Sequence, residues 1–155
     1  MPHERHGRNP RPSGRGGRQD NSQGGAFSFH PAAEAARIEG AISVAASDAA
    51  DQLWAGSNTG AELAAPGVEV LSVGFDERSV AYWTGTSLAA PLVSGTAALV
   101  RSCRPDLSPA ALEDLLRRTA EPLSGPGSDG AEGRLNAGEA VAAALKYASA
   151  APYPG

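Results

Sequence analysis

Gly85-Thr86-Ser87 stands directly before a run of small apolar residues, "LAAPLVSGTAALV" (88–100). A run of that texture reads as a helix over 87–101, apolar all round and therefore buried on most sides. The first amides of a helix have no acceptor within it and carry partial positive charge. A serine at that point has two uses. It caps the helix as an ordinary N-cap residue, or its hydroxyl attacks a carbonyl while neighbouring N–H groups hold the resulting oxyanion. The neighbours suit the second use: Gly85 lets the backbone bend and gives a substrate chain close access, and Ala89 and Ala90 keep bulk away from the hydroxyl. Pro91 costs little if the donor it lacks falls near the unpaired helix start. Spacing alone leaves both uses open.

Several elements must position that serine. "AISVAAS" (41–47) alternates and reads as a strand, and "AELAAPGVEVLSV" (61–73) reads as two short extended pieces around a Pro66-Gly67 turn. "LSPAALEDLLRRTA" (107–120) opens with Ser108 as N-cap and Pro109 at the first helical position. It sets Leu112, Leu115, Leu116 and Thr119 on one stripe, with Arg117 and Arg118 near the negative pole of the helix. Residues 121–133 form a loop, 135–147 a last amphipathic helix, and 148–155 a frayed tail. Strands followed by helices imply an α/β architecture.

The chain has 155 residues, enough for one domain with a core of its own. Residues 1–25 carry five Arg against Glu4 and Asp20, so the acidic excess behind the overall net charge of −4 lies in the remainder. A mildly acidic folded part argues against nucleic acid as its partner. The same 25 residues hold almost no apolar side chains and read as a disordered Arg/Gly/Pro-rich arm, with 26–147 as the folded unit. Cys103 is the single cysteine, so no disulfide forms within the chain, and it reads as a semi-buried thiol. No apolar run approaches the ~20 residues of a membrane span, and no apolar segment follows the N-terminal arginines as in a signal peptide.

"GTSLAAPLVSG" (85–95) resembles the serine motif of the subtilisin-like serine proteases, Gly-Thr-Ser-x-Ala-x-Pro-x-Val-Ala/Ser-Gly. Gly85, Thr86, Ser87, Ala89, Pro91, Val93, Ser94 and Gly95 fill every fixed position. Neighbouring pieces follow in the family's order. "FSFHPAA" (27–33) resembles its Tyr-Pro-Ala segment, "AISVAASD" (41–48) a strand, and "GSNTGAELAAPGVEVLSV" (56–73) its Ser-Asn-x-Gly and Ala-Pro-Gly stretch. "PDLSPAALEDLL" (105–116) and "GRLNAGEAV" (133–141) are similar to its two closing helices. Two other serine chemistries do not fit. A nucleophile elbow needs Gly two residues after the serine, where Ala89 stands, and the Ser-x-x-Lys motif needs Lys where Ala90 stands.

The resemblance implies the C-terminal portion of a doubly wound, mostly parallel-sheet α/β fold, with Ser87 as the nucleophile of a serine endopeptidase acting on polypeptides. The family's Asp-Ser/Thr-Gly and His-Gly-Thr-His motifs, which carry the orienting carboxylate and the base, are missing from the sequence. Its histidines are His3, His6 and His30. "HGR" (6–8) is only a dipeptide match, and His30 stands where the family has an aromatic. Asn21, ten residues before Pro31, is the candidate oxyanion donor, although Gln19-Asp20 precede it where the family has a Gly. The chain is therefore expected to be inactive by itself. The alternative is a non-catalytic interaction module whose Arg/Gly-rich arm binds RNA or a partner. No cofactor is implied. Calcium, which many members of the family bind, is assigned to no residue, and the family's extracellular setting is the localisation that the resemblance implies. With part of the family's fold not encoded, Leu88, Leu92, Val93, Leu99 and Val100 are expected to lose cover, leaving the chain molten or self-associating.

Overall fold

A computed structural model describes residues 35, 37–57, 59–76, 79–125 and 127–148. The expected arm at 1–25, the 27–33 segment and most of the expected tail lie outside the described residues. The element order is β1 (Val44–Ser47), β2 (Leu63–Pro66), β3 (Val70–Val73), β4 (Val80–Trp83), α1 (Thr86–Cys103), α2 (Pro109–Arg118), a 3-10 turn at Ser128–Gly130, and α3 (Ala137–Ala148).

β1 and β2 pair in parallel, with Val44 opposite Leu63, Ala45 opposite Ala64 and Ala46 opposite Ala65. Strands buried on both faces select small or apolar residues at every position rather than alternating ones. Accordingly Ala45, Ala46, Leu63, Ala64 and Ala65 are all fully buried. Both edges are occupied. The crossover chain returns along β1, with Trp54 N–H donating to the Ala46 carbonyl at 2.9 Å and Ala46 N–H to Ser57 Oγ at 2.8 Å. On the far side, Ala64 N–H donates to the Gly133 carbonyl at 2.7 Å, and Leu135 N–H to the Ala64 carbonyl at 2.8 Å. Covered edges leave no template for pairing with another chain. At the head of the pair, the buried Glu62 carboxylate accepts from Ser43 N–H at 2.7 Å and from Ser43 Oγ at 3.0 Å, and the same hydroxyl accepts from Glu62 N–H.

One face of this pair meets α1, against which α2 and α3 pack. Ala46, Leu63 and Ala65 join Ala89, Val93 and Val100 of α1, Ala111, Leu115 and Leu116 of α2, and Ala140 and Ala144 of α3 in the main core. The opposite face, Ala45 and Ala64, packs on Ala61, Leu123 and Ala131. Local signals set the helix ends. Ser108 Oγ accepts from Ala111 N–H at 3.2 Å with Pro109 in the first turn. Asn136 Oδ1 accepts from Glu139 N–H at 2.9 Å, which starts α3 two residues later than the expected 135.

The α/β class is as expected, with a parallel pair at its centre and the expected elements in order. Three details differ. β1 is shorter than 41–47, because Ser43 is committed to Glu62. Residues 80–83, which carry no turn-bounded alternation of their own, form β4 antiparallel to β3. And α1 is not buried on most sides: Ala89, Val93, Thr96 and Val100 are its buried stripe, whereas Leu92 and Leu99 are 41% and 56% exposed. Of the five side chains expected to lose cover, Val93 and Val100 therefore keep it and Leu88 keeps part. The stripe recurs every third or fourth residue, so one face is enough to hold an 18-residue helix.

Candidate active site

Ser87 is exposed in the first turn of α1, one residue inside the helix that Thr86 begins. Its amide and that of Thr86 lie ahead of the intrahelical hydrogen-bond ladder, the positive pole that favours developing negative charge. Leu88 N–H is spent on the Gly85 carbonyl at 3.0 Å. The N-cap of α1 is Gly85, and no side chain caps the helix. Ser87 is thus not the N-cap serine.

The segment ahead of the helix is fixed from below. Gly85 N–H donates to the Gly67 carbonyl at 2.7 Å, and Gly67 N–H donates in turn to the carbonyl of Ser47, the last residue of β1, at 2.9 Å. Beside them, Glu69 N–H donates to Thr84 Oγ1 at 3.0 Å. The β3–β4 ribbon flanks this point, stiffened by Trp83 Nε1 donating to the Val73 carbonyl at 2.9 Å and by the edge of one ring meeting the other between Phe75 and Trp83, 4.9 Å apart.

Three expectations about the neighbours change. Gly85 has φ 162° and ψ 159°, an extended backbone open to any residue, so no bend requires glycine there. The space around it is open, however, since a Cβ would meet nothing nearer than Ser87 N at 3.9 Å. Ala89 does not shield the hydroxyl; it is fully buried against the sheet. Pro91 lies inside α1 rather than at its unpaired start. In the α-helical pattern its missing N–H would serve the Ser87 carbonyl, so the proline removes a helix bond at the serine itself. Val93 is a core residue of the buried stripe, and Ser94 and Gly95 lie on the exposed side. The sequence did not single out Glu69 and Thr84, and it marked Gly67 only through the Pro66-Gly67 turn and the Ala-Pro-Gly stretch, neither of which says what Gly67 touches.

His3, His6, His30 and Asn21 lie outside the described residues. Among the described aspartates, Asp48 accepts from Ala50 and Gln52 N–H at 2.9 Å, Asp51 meets Arg134, Asp106 meets Arg104 and Asp114 meets Arg118. Arg104 is buried beside Asp106 and grips it with two hydrogen bonds of 2.8 and 2.6 Å. The guanidinium holds that carboxyl down at about 2, chiefly through those hydrogen bonds. Each of these acids is thus engaged at a turn, a helix flank or an interelement ion pair. Among the described residues no three His, Cys, Asp or Glu gather as a metal-binding group, and no helix is long and apolar enough to cross a membrane. Cys103 is half-buried and free.

An exposed serine stands at the start of a helix that rests on a parallel pair, and residues 20–135 match the subtilase family. The chain belongs to that family. An extracellular protease of Xanthomonas campestris is 42% identical over 114 residues, which covers 67% of this chain and 20% of that protein. A thermophilic serine proteinase of a Bacillus species is 36% identical over 123 residues, covering 77% of this chain and 29% of the relative. Among solved structures, a protease from Pseudoalteromonas arctica superposes with a TM-score of 0.65 at 29% identity, over 74% of this chain and 38% of the other. The patellamide maturation protease PatA superposes at 0.59 and 26% identity, over 72% and 45% respectively. The chain thus spans between 20% and 29% of the length of these two sequence relatives.

Proposed function

We propose that this chain carries the nucleophile-bearing part of a subtilisin-like serine endopeptidase, with Ser87 as the nucleophile, and that it does not hydrolyse peptides by itself. The observation that carries the reading is the exposed Ser87 in the uncapped first turn of α1, within a complete serine motif. In the reaction, Ser87 Oγ bonds to the scissile carbonyl carbon while its proton passes to a base. The C–N bond then breaks, and the leaving amine takes that proton. The first-turn amides face the oxyanion formed between these steps. Asn21 is the second candidate donor. The base and its orienting carboxylate belong to the two motifs that this sequence lacks. Serine attack of this kind calls for no metal or organic cofactor. The names of both relatives support polypeptide substrates, and that of the Xanthomonas protease supports an extracellular setting.

Without a base, at most ~10³–10⁴-fold catalysis over water remains, and only with an intact cleft. The purified chain is accordingly expected to show no peptide turnover and no fluorophosphonate adduct by intact mass. An adduct on Ser87 of the chain alone would overturn its inactivity. To test the serine itself, residues 27–148 are joined to the upstream portion of the Xanthomonas protease, which restores labelling. Labelling that persists after Ser87→Ala would remove Ser87 from the mechanism.

A further inference from the structure

We propose that Gly67 is a positioning residue for the nucleophile: it couples the end of β1 to the first turn of α1 and sets where the Ser87 hydroxyl and its neighbouring amides stand. This rests on the reading of Ser87 as nucleophile. Three backbone hydrogen bonds run in series, from Gly67 N–H to the Ser47 carbonyl, from Gly85 N–H to the Gly67 carbonyl, and from Leu88 N–H to the Gly85 carbonyl, at 2.9, 2.7 and 3.0 Å. Both glycines thus spend both of their polar groups on this series. It begins at a strand with both edges covered and ends in the turn that holds Ser87.

Only glycine fits in the middle. Gly67 is buried, and a Cβ built on it would lie 2.7 Å from Ala46 Cβ and 2.8 Å from the Gly85 carbonyl oxygen. Neither neighbour is the free end of a flexible side chain. Ala46 is fully buried in the main core, so the group that gives way is the Gly85 carbonyl, and with it the helix start. A lateral tie keeps the same segment from sliding: Glu69, in left-handed backbone at φ 52°, donates its N–H to Thr84 Oγ1 at 3.0 Å. Left-handed backbone is costly for a non-glycine residue, and here it aims that amide at the segment leading into the serine.

The test reads the electrostatics of the helix start rather than the survival of the fold. In a Cys103→Ser background, Ser87→Cys introduces a thiol whose ionisation is followed by the pH dependence of its alkylation with iodoacetamide, with near-UV circular dichroism alongside. At a helix N-terminus that thiol is expected to titrate about one unit or more below the free value of about 8.5. Adding Gly67→Ala is expected to raise the midpoint by about one unit and to slow alkylation at pH 7 by roughly tenfold, the loss of thiolate that such a shift brings. Thr84→Val, at an exposed side chain, removes only the lateral tie and serves if Gly67→Ala does not fold. It is expected to raise the midpoint by a few tenths of a unit, with Thr84→Ser restoring the parent value. A low midpoint unchanged by both Gly67→Ala and Thr84→Val would overturn the positioning role while leaving Ser87 as nucleophile. An ordinary midpoint in the folded parent would likewise overturn the positioning role, whereas Ser87 as nucleophile fails only if labelling of the joined protein persists after Ser87→Ala.

Discussion

The two strand pairs reverse the usual relation between size and burial. In β1–β2 most of the buried side chains are alanines, and both faces and both edges are covered. In β3–β4 the side chains are large and one face is bare. Leu71 pairs with Tyr82 and Val73 with Val80, at 56%, 71%, 76% and 68% exposure. The difference teaches what each pair is for. Small residues let α1 approach the parallel pair closely enough for Ala89 to pack on it, and close packing of that kind restricts where the helix start can stand. The ribbon, by contrast, is held by its own antiparallel ladder, an indole hydrogen bond and a ring–ring contact, so it flanks the serine without carrying the core.

Truncation should break or confirm this division most visibly. Leu63→Ala, at a fully buried site of the parallel pair, is expected to cost about 2–5 kcal/mol. Leu71→Ala on the bare face should stay within about 0.5 kcal/mol of the parent. Urea melts decide, and equal losses would mean that the ribbon belongs to the core after all. Overpacking is the next largest effect: Ala46→Leu has no room between β1 and α1 and should cost about 1–3 kcal/mol.

The two tryptophans sharpen the contrast, because Trp54 packs on the main core and Trp83 sits in the ribbon. With Trp83→Phe and Trp54→Phe each leaving one fluorophore, the ribbon reporter is expected to unfold at lower urea than the core reporter. Coincident transitions would make the molecule a single cooperative unit. The smallest effect concerns acid. Asp106 titrates at about 2 when paired with Arg104 and near 3.9 when unfolded. Its contribution is therefore fully present above about pH 4 and fades as pH falls through about 2. The Trp54 signal should report this loss at the α1–α2 junction, and Asp106→Asn should remove that part of the pH dependence. An unchanged acid transition in the variant would show that the pair adds nothing to stability.

Much of this was legible from sequence because it depends on local chemistry. The Ser108-Pro109 start of α2, the turn at Pro66-Gly67 and the helix after Ser87 follow from caps, fixed φ angles and small apolar runs within a few residues of each other. The serine motif and the missing base motifs were legible for the same reason. What the sequence could not carry was any relation across space. That α1 buries one stripe and leaves Leu92 and Leu99 bare depends on how many elements reach it, and no periodicity within a helix apolar all round marks the stripe. Residues 80–83 became a strand only because β3 offered a partner. Gly85 proved to be extended and Pro91 to lie within the helix, facts that depend on where α1 begins in the folded chain. Gly67 itself reads in the sequence as half of a turn. Its second constraint, the carbonyl 2.8 Å from where a Cβ would stand, exists only once residues eighteen apart in the chain are brought together, because steric exclusion acts between atoms in contact whatever their separation along the backbone.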